Sequence, residues 1–100
     1  MAYMAYSLDS SVDLVLNDVI QRIDRIDYEL KHDEELDALV EKDIRLLLRK
    51  HSYKLPESQQ VAYFEDFKNR HMSTLRQKKI ETLKRAKERL EHIKTELQEL

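Results

Sequence analysis

The side chains best suited to chemistry are four histidines, His32, His51, His71 and His92, and a run of bases near the C-terminus. No histidine has a second histidine or an acid at a recognised metal-ligand spacing such as HExxH. Glu88, Glu91 and His92 would be neighbours on a helix, and a solvated surface is the reading they support. Cysteine is absent, which removes thiolate nucleophiles, disulfides and cysteine-ligated zinc. No metal, no cofactor, no small-molecule substrate and no catalytic residue is therefore expected. Between Lys68 and Lys94 stand ten Lys or Arg against three Glu. The densest part is Arg76, Lys78, Lys79, Lys84, Arg85 and Lys87, which makes these six the candidate nucleic-acid contacts. A plainer use for them exists within the chain. Residues 1–43 hold twelve acids and four bases, a net −8, and residues 44–100 hold fourteen bases and eight acids, a net +6. An acidic helix packed on a basic one accounts for that division without a polynucleotide.

Two short runs resemble enzyme families. Arg45-Leu-Leu-Leu-Arg-Lys-His51 has an Arg and a His six apart, similar to the Arg–His spacing of HEPN-type ribonucleases, whose two side chains line a dimer cleft. That family carries a polar residue just after the Arg, where Leu46 stands here. Ile23-Asp-Arg-Ile-Asp-Tyr-Glu-Leu30 resembles the opening helix of AroQ-type chorismate mutases and isochorismate pyruvate lyases, which are all-helical dimers. The resemblance implies a substrate-binding Arg three residues before the Ile-Asp pair, and Ile20 or Ile23 falls there, with Arg22 out of register. Each resemblance covers eight residues or fewer, so the chain is read as a non-enzyme.

The elements that must position these groups are helices. With no Gly, one Pro, no Trp and 38% charged residues, the chain lacks the turn chemistry of a sheet and is rich in helix formers. The expected fold class is all-α: a helical bundle of three to four helices with a long C-terminal coiled-coil-like helix. Residues 1–10 are expected to form a flexible N-terminal segment, with Tyr3 and Tyr6 able to fold back, and residues 11–100 a single helical domain. Ser10 and Asp13 make an approximate capping box, followed by Val12, Leu16, Val19, Ile23, Ile26 and Leu30, widened by Val15 and Ile20. This is a helix over 11–31. Asp33 can cap a second over about 34–52, whose tract Ile44-Arg45-Leu46-Leu47-Leu48 is expected at the centre of the core. Ser52-Tyr53-Lys54-Leu55-Pro56 marks the next boundary, because proline suits a first helical turn and disfavours helix before it.

The last helix, 56–100, would bury Val61, Phe64 and Phe67, with Tyr63 beside them. It ends in a heptad seam of Leu83, Ala86, Leu90, Ile93, Leu97 and Leu100. Unbroken, its 45 residues at about 1.5 Å each would reach roughly 67 Å. From Leu75 to Ile80 the pattern slips, and heptad core positions fall on Arg76 and Lys79. The stretch is therefore either one helix with a stutter or two helices split near Ser73. In a parallel homodimer Arg89 would meet Lys94 of the second copy, which disfavours a simple parallel zipper.

The expected function is a non-catalytic protein–protein interaction module: adaptor, inhibitor, chaperone or assembly subunit. It would pair with another protein or with itself as a homodimer, through Phe64, Phe67, Leu83, Leu90, Ile93 and Leu97. The alternative is a nucleic-acid-associated regulator that uses the basic stretch. No apolar run approaches the roughly 18 residues of a membrane span, and the opening MAYMAYSLDSS lacks a basic n-region. A soluble, cytoplasmic protein without membrane attachment is expected.

Overall fold

The computed structural model describes the backbone of residues 2–50 and 55–100, and the side chains of 11–50 and 55–100. Three helices account for it: α1 (Ala2–Lys31), α2 (Asp33–Arg49) and α3 (Glu57–Glu99). The fold is an all-α helical bundle with a long C-terminal helix, as the composition dictates. Its helices form two compact units, one made by α1 and residues 82–99 of α3, the other by α2 and residues 57–81 of α3. No helix among the described residues is long and apolar enough to cross a membrane.

Helix α1 begins at Ala2, not at Ser11. Nothing in the sequence before Ser10 breaks a helix, so a good capping residue stands inside one; the side chains of Tyr3, Tyr6 and Ser10 lie outside the described residues. A single residue, His32, separates α1 from α2, with extended angles of φ −119° and ψ 100°. Its carbonyl accepts the first α2 bond from the Leu36 N–H at 3.1 Å, so His32, not Asp33, holds the N-cap position. Asp33, Glu34 and Glu35 fill the first turn, where the helix dipole favours anions. Helix α3 starts where proline permits: the Pro56 carbonyl accepts from the Gln59 and Gln60 N–H groups at 2.9 and 3.0 Å, and the Gln60 amide donates to the Leu55 carbonyl at 2.6 Å.

In the α2 unit the spine is Leu36, Val40, Ile44 and Leu48, spaced four apart and all buried. Val40, Ile44 and Leu48 pack with Phe64, Phe67, Met72 and Leu75 of α3. Fully burying one such aliphatic side chain is worth about 1.5–3 kcal/mol, which makes this spine the main stabilising feature of the unit. In the α1 unit Val19, Ile23 and Ile26 are buried, together with the carboxylate side chain of Glu29, which lies 3.9 Å from the Arg25 guanidinium.

Helix α3 is continuous from Glu57 through Ser73 to Glu99, which settles the choice between one helix and two. Ten of its fifteen half-buried residues, Phe64, Lys68, Met72, Leu75, Lys79, Leu83, Ala86, Leu90, Lys94 and Leu97, follow steps of four, four and three. That is an eleven-residue repeat of about 3.67 residues per turn, close to the natural period of a straight helix. Of the expected heptad seam, Leu83, Ala86, Leu90 and Leu97 are half-buried. Ile93 and Leu100 are exposed, at 42% and 87%, while Lys94 is half-buried beside them. The slip between Leu75 and Ile80 is the place where Lys79 takes a seam position and buries its aliphatic stem.

Candidate functional site

The basic helix meets acids in both units. In the α2 unit Lys68 Nζ lies 2.5 Å from Glu41, Lys79 Nζ 2.9 Å from Asp43, and Arg76 Nε donates to Asp37 Oδ1 at 2.8 Å, joined there by its Nη2. In the α1 unit Lys87 Nζ lies 2.6 Å from Asp27. The hydrogen bond from each cation to its carboxylate raises the Lys68, Arg76 and Lys87 pKa values above their ordinary ones. Of the six candidate nucleic-acid contacts, Arg76, Lys79 and Lys87 are therefore committed to Asp37, Asp43 and Asp27 of the same chain. Lys84 and Arg85 are exposed, as is Lys78. The structure does not gather the six onto one open face of free cations.

The candidate interface residues are drawn into the two units. Phe64 and Phe67 pack on the α2 spine, and the Phe67 ring lies 4.6 Å from that of His71. Leu83, Leu90 and Leu97 are half-buried, and Ile93 is open. Two further expectations are corrected in the α2 unit. Within the tract Ile44–Leu48 only Ile44 and Leu48 are core; Leu46 and Leu47 are 52% and 47% exposed, because a helix buries positions four apart, not a run. Val61 is 65% exposed, since it falls outside the positions on which α3 packs.

These misplaced apolar residues mark a surface the sequence reading missed. Leu46, Leu48, Val61 and Phe64 line an open groove of about 710 Å³ between α2 and the start of α3. Lys42, Arg45 and Arg49 stand along its α2 side, Glu57 and Glu65 along its α3 side. Arg45 spreads its guanidinium over the Phe64 ring at 5.2 Å, a cation–π contact that braces the basic side. The available signal was an apolar residue off its own helix's stripe: Leu46 and Val61 both have that property.

The residues of the two enzyme-like runs serve other contacts. Arg45 lies on the groove, and His51 lies outside the described residues. In the run Ile23–Leu30, Ile23 and Ile26 are core, Asp27 holds Lys87, and Arg25 lies 5.3 Å from the Tyr28 ring. Arg22 pairs with Asp18 at 2.8 Å. Glu88, Glu91, His92 and Thr95 surround a shallow depression of about 230 Å³, and the Thr95 hydroxyl donates to the Glu91 carbonyl. Among the described residues no three His, Asp or Glu converge on a point where a metal ion could be held. What the groove offers is shape, apolar surface and two charged edges. Comparison with protein-family models, with curated proteins and with solved structures found no match to this chain.

Proposed function

We propose that the chain is a non-catalytic protein–protein interaction module of the cytoplasm, an adaptor, inhibitor, chaperone or assembly subunit, that binds through the α2/α3 groove. The observation that carries this reading is the exposure of large apolar side chains at a concave surface, with Leu46 at 52% and Val61 at 65%. Contiguous apolar surface rimmed by charge commonly marks a protein-binding face. A helix laid in such a groove would bury Leu46 and Val61 while its own charged positions answered the two edges. The basic stretch supports a nucleic-acid partner less well, because Arg76, Lys79 and Lys87 already have carboxylate partners.

The test is a photo-crosslinking residue placed at Leu46 or at Val61 in the full chain, expressed in cells, with Ser73 of the same α3 as an exposed control. One discrete crosslinked species is expected from Leu46 and Val61 and none from Ser73. No crosslink from either groove position, or equal crosslinking from Ser73, would overturn the reading.

A further inference from the structure

We propose that the occupant of the groove is a second copy of this chain, seated face to face about a two-fold axis running along the groove. This rests on the reading above, that the groove binds protein. The argument starts from its two edges. Lys42, Arg45 and Arg49 stand at i, i+3 and i+7 of α2, so they make one basic line. Glu57 and Glu65 stand at i and i+8 of α3 with Val61 midway, so they make one acidic line. All five charged residues are exposed; Arg45 rests on the Phe64 ring, and Glu65 and Arg45 act on Lys68 through space with opposite sign. One edge is therefore the electrostatic complement of the other.

A two-fold axis along the groove exchanges its sides. The α2 edge of one copy then lies opposite the α3 edge of its partner, and the same is true in reverse. Basic meets acidic twice, as an isologous interface requires of a self-complementary patch. The axis turned across the groove would set basic on basic, and like charges at close quarters disfavour that arrangement. The apolar floor agrees with the charges: Leu46 on the α2 side would meet Val61 of the partner subunit, covering two of the most open large side chains of the unit.

Packing gives a second, independent reason. In the α2 unit two helices share one mutual interface, and apolar residues outside it stay open, Leu46 at 52% and Val61 at 65%. Two such pairs placed face to face make four helices around a common core, a far better solution for burying Leu46, Val61 and the open side of Phe64.

The experiment is light scattering behind a sizing column on the full chain, with three preparations and one mixture. The natural chain should elute at about twice 12.1 kDa. Reversing the basic edge (Lys42→Glu, Arg45→Glu, Arg49→Glu) or the acidic edge (Glu57→Lys, Glu65→Lys) should halve the mass with helical circular dichroism unchanged. Mixing the two reversed chains should restore the double mass, because an all-acidic groove then faces an all-basic one. Should either reversal unfold the chain, Val61→Asp at its open position replaces it, again with halving of the mass expected. A natural chain that stays at 12.1 kDa, a dimer untouched by both reversals and by Val61→Asp, or a mixture that stays monomeric would each overturn the proposal. A monomer whose Val61 crosslinker still captures a protein of other mass would overturn only this inference and leave the functional reading standing.

Discussion

In the unit that α2 makes with residues 57–81, Leu36, Val40 and Ile44 are only 1–2% exposed, and α3 supplies Phe64 and Phe67 against the spine. In the unit that α1 makes with residues 82–99, the best-covered apolar side chains, Val19, Ile23 and Ile26, keep 5–8% exposure, and α3 draws in Leu83, Ala86, Leu90 and Leu97. The charge logic is the same in both, acids of the earlier helix meeting bases of α3, as Glu41, Asp37 and Asp43 do in the first unit and Asp27 in the second. The difference lies in size. Aromatic side chains cover more surface per helical position than Leu or Ala, which suits the closer cover of Val40 and Ile44, while Leu48 of the same spine keeps 6% exposure. The second unit also tolerates a buried Glu29, which a fully apolar spine would penalise.

The sharpest way to break this comparison is to remove equal volume from each spine. Ile44→Ala should cost about 2–5 kcal/mol, the range for a buried Ile whose cavity cannot collapse. Ile26→Ala should fall at or below the low end of that range, because its site is less enclosed. Urea denaturation followed by circular dichroism measures both. Equal losses, or a larger loss from Ile26, would mean that the aromatic cover on α3 does not distinguish the units.

A smaller effect tests the period of α3. A heptad makes Leu90 and Ile93 equivalent seam residues; the eleven-residue repeat keeps Leu90 and replaces Ile93 by Lys94. Leu90→Ala should then cost about 1–2 kcal/mol, less than a fully buried leucine, since Leu90 is half-buried. Ile93→Ala, at a site 42% exposed, should stay within about 0.5 kcal/mol. Similar costs at the two positions would restore the heptad.

Much of this architecture is legible in the sequence because helix spacing and proline are local signals. Val19, Ile23 and Ile26 announce one spine, Leu36, Val40, Ile44 and Leu48 the other, and Pro56 the start of α3. The division of charge, net acid before Ile44 and net base after it, likewise anticipates Asp27–Lys87 and Asp37–Arg76. What stayed hidden depends on atoms that residue type does not reveal. Lys79 and Lys94 read as polar, yet each has an aliphatic stem long enough to fill a seam position with its charge outside. Leu46, Leu47 and Val61 read as core because they are apolar, yet only rotation about the helix decides what is covered. The groove was missed for that reason: it consists of apolar residues in the wrong phase. Likewise Ser10 is a good cap by type, but a cap signal acts only where the preceding chain leaves the helix, and α1 runs on to Ala2.

The weakest and most condition-dependent contrast is between the bridges themselves, and pH separates it from packing. Glu41 raises the pKa of Lys68 in one unit, and Asp27 raises that of Lys87 in the other, in each case mainly through the hydrogen bond to the ammonium. A lysine whose folded value lies above its ordinary 10.5 stabilises the fold fully below 10.5, where folded and unfolded chains are both charged. As pH rises past 10.5 the unfolded chain loses its proton first, and the contribution fades until the folded value is passed. The urea midpoint should therefore decline through this alkaline window. Lys68→Gln and Lys87→Gln should each start lower at neutral pH and decline less, with both differences shrinking at high salt, which screens partly exposed pairs. A midpoint that falls just as steeply in both variants would assign the alkaline loss to other groups and leave the bridges without a part in stability. If only one variant flattens the curve, the bridges of the two units are unequal, and the charge logic that they share by sequence is not shared in energy.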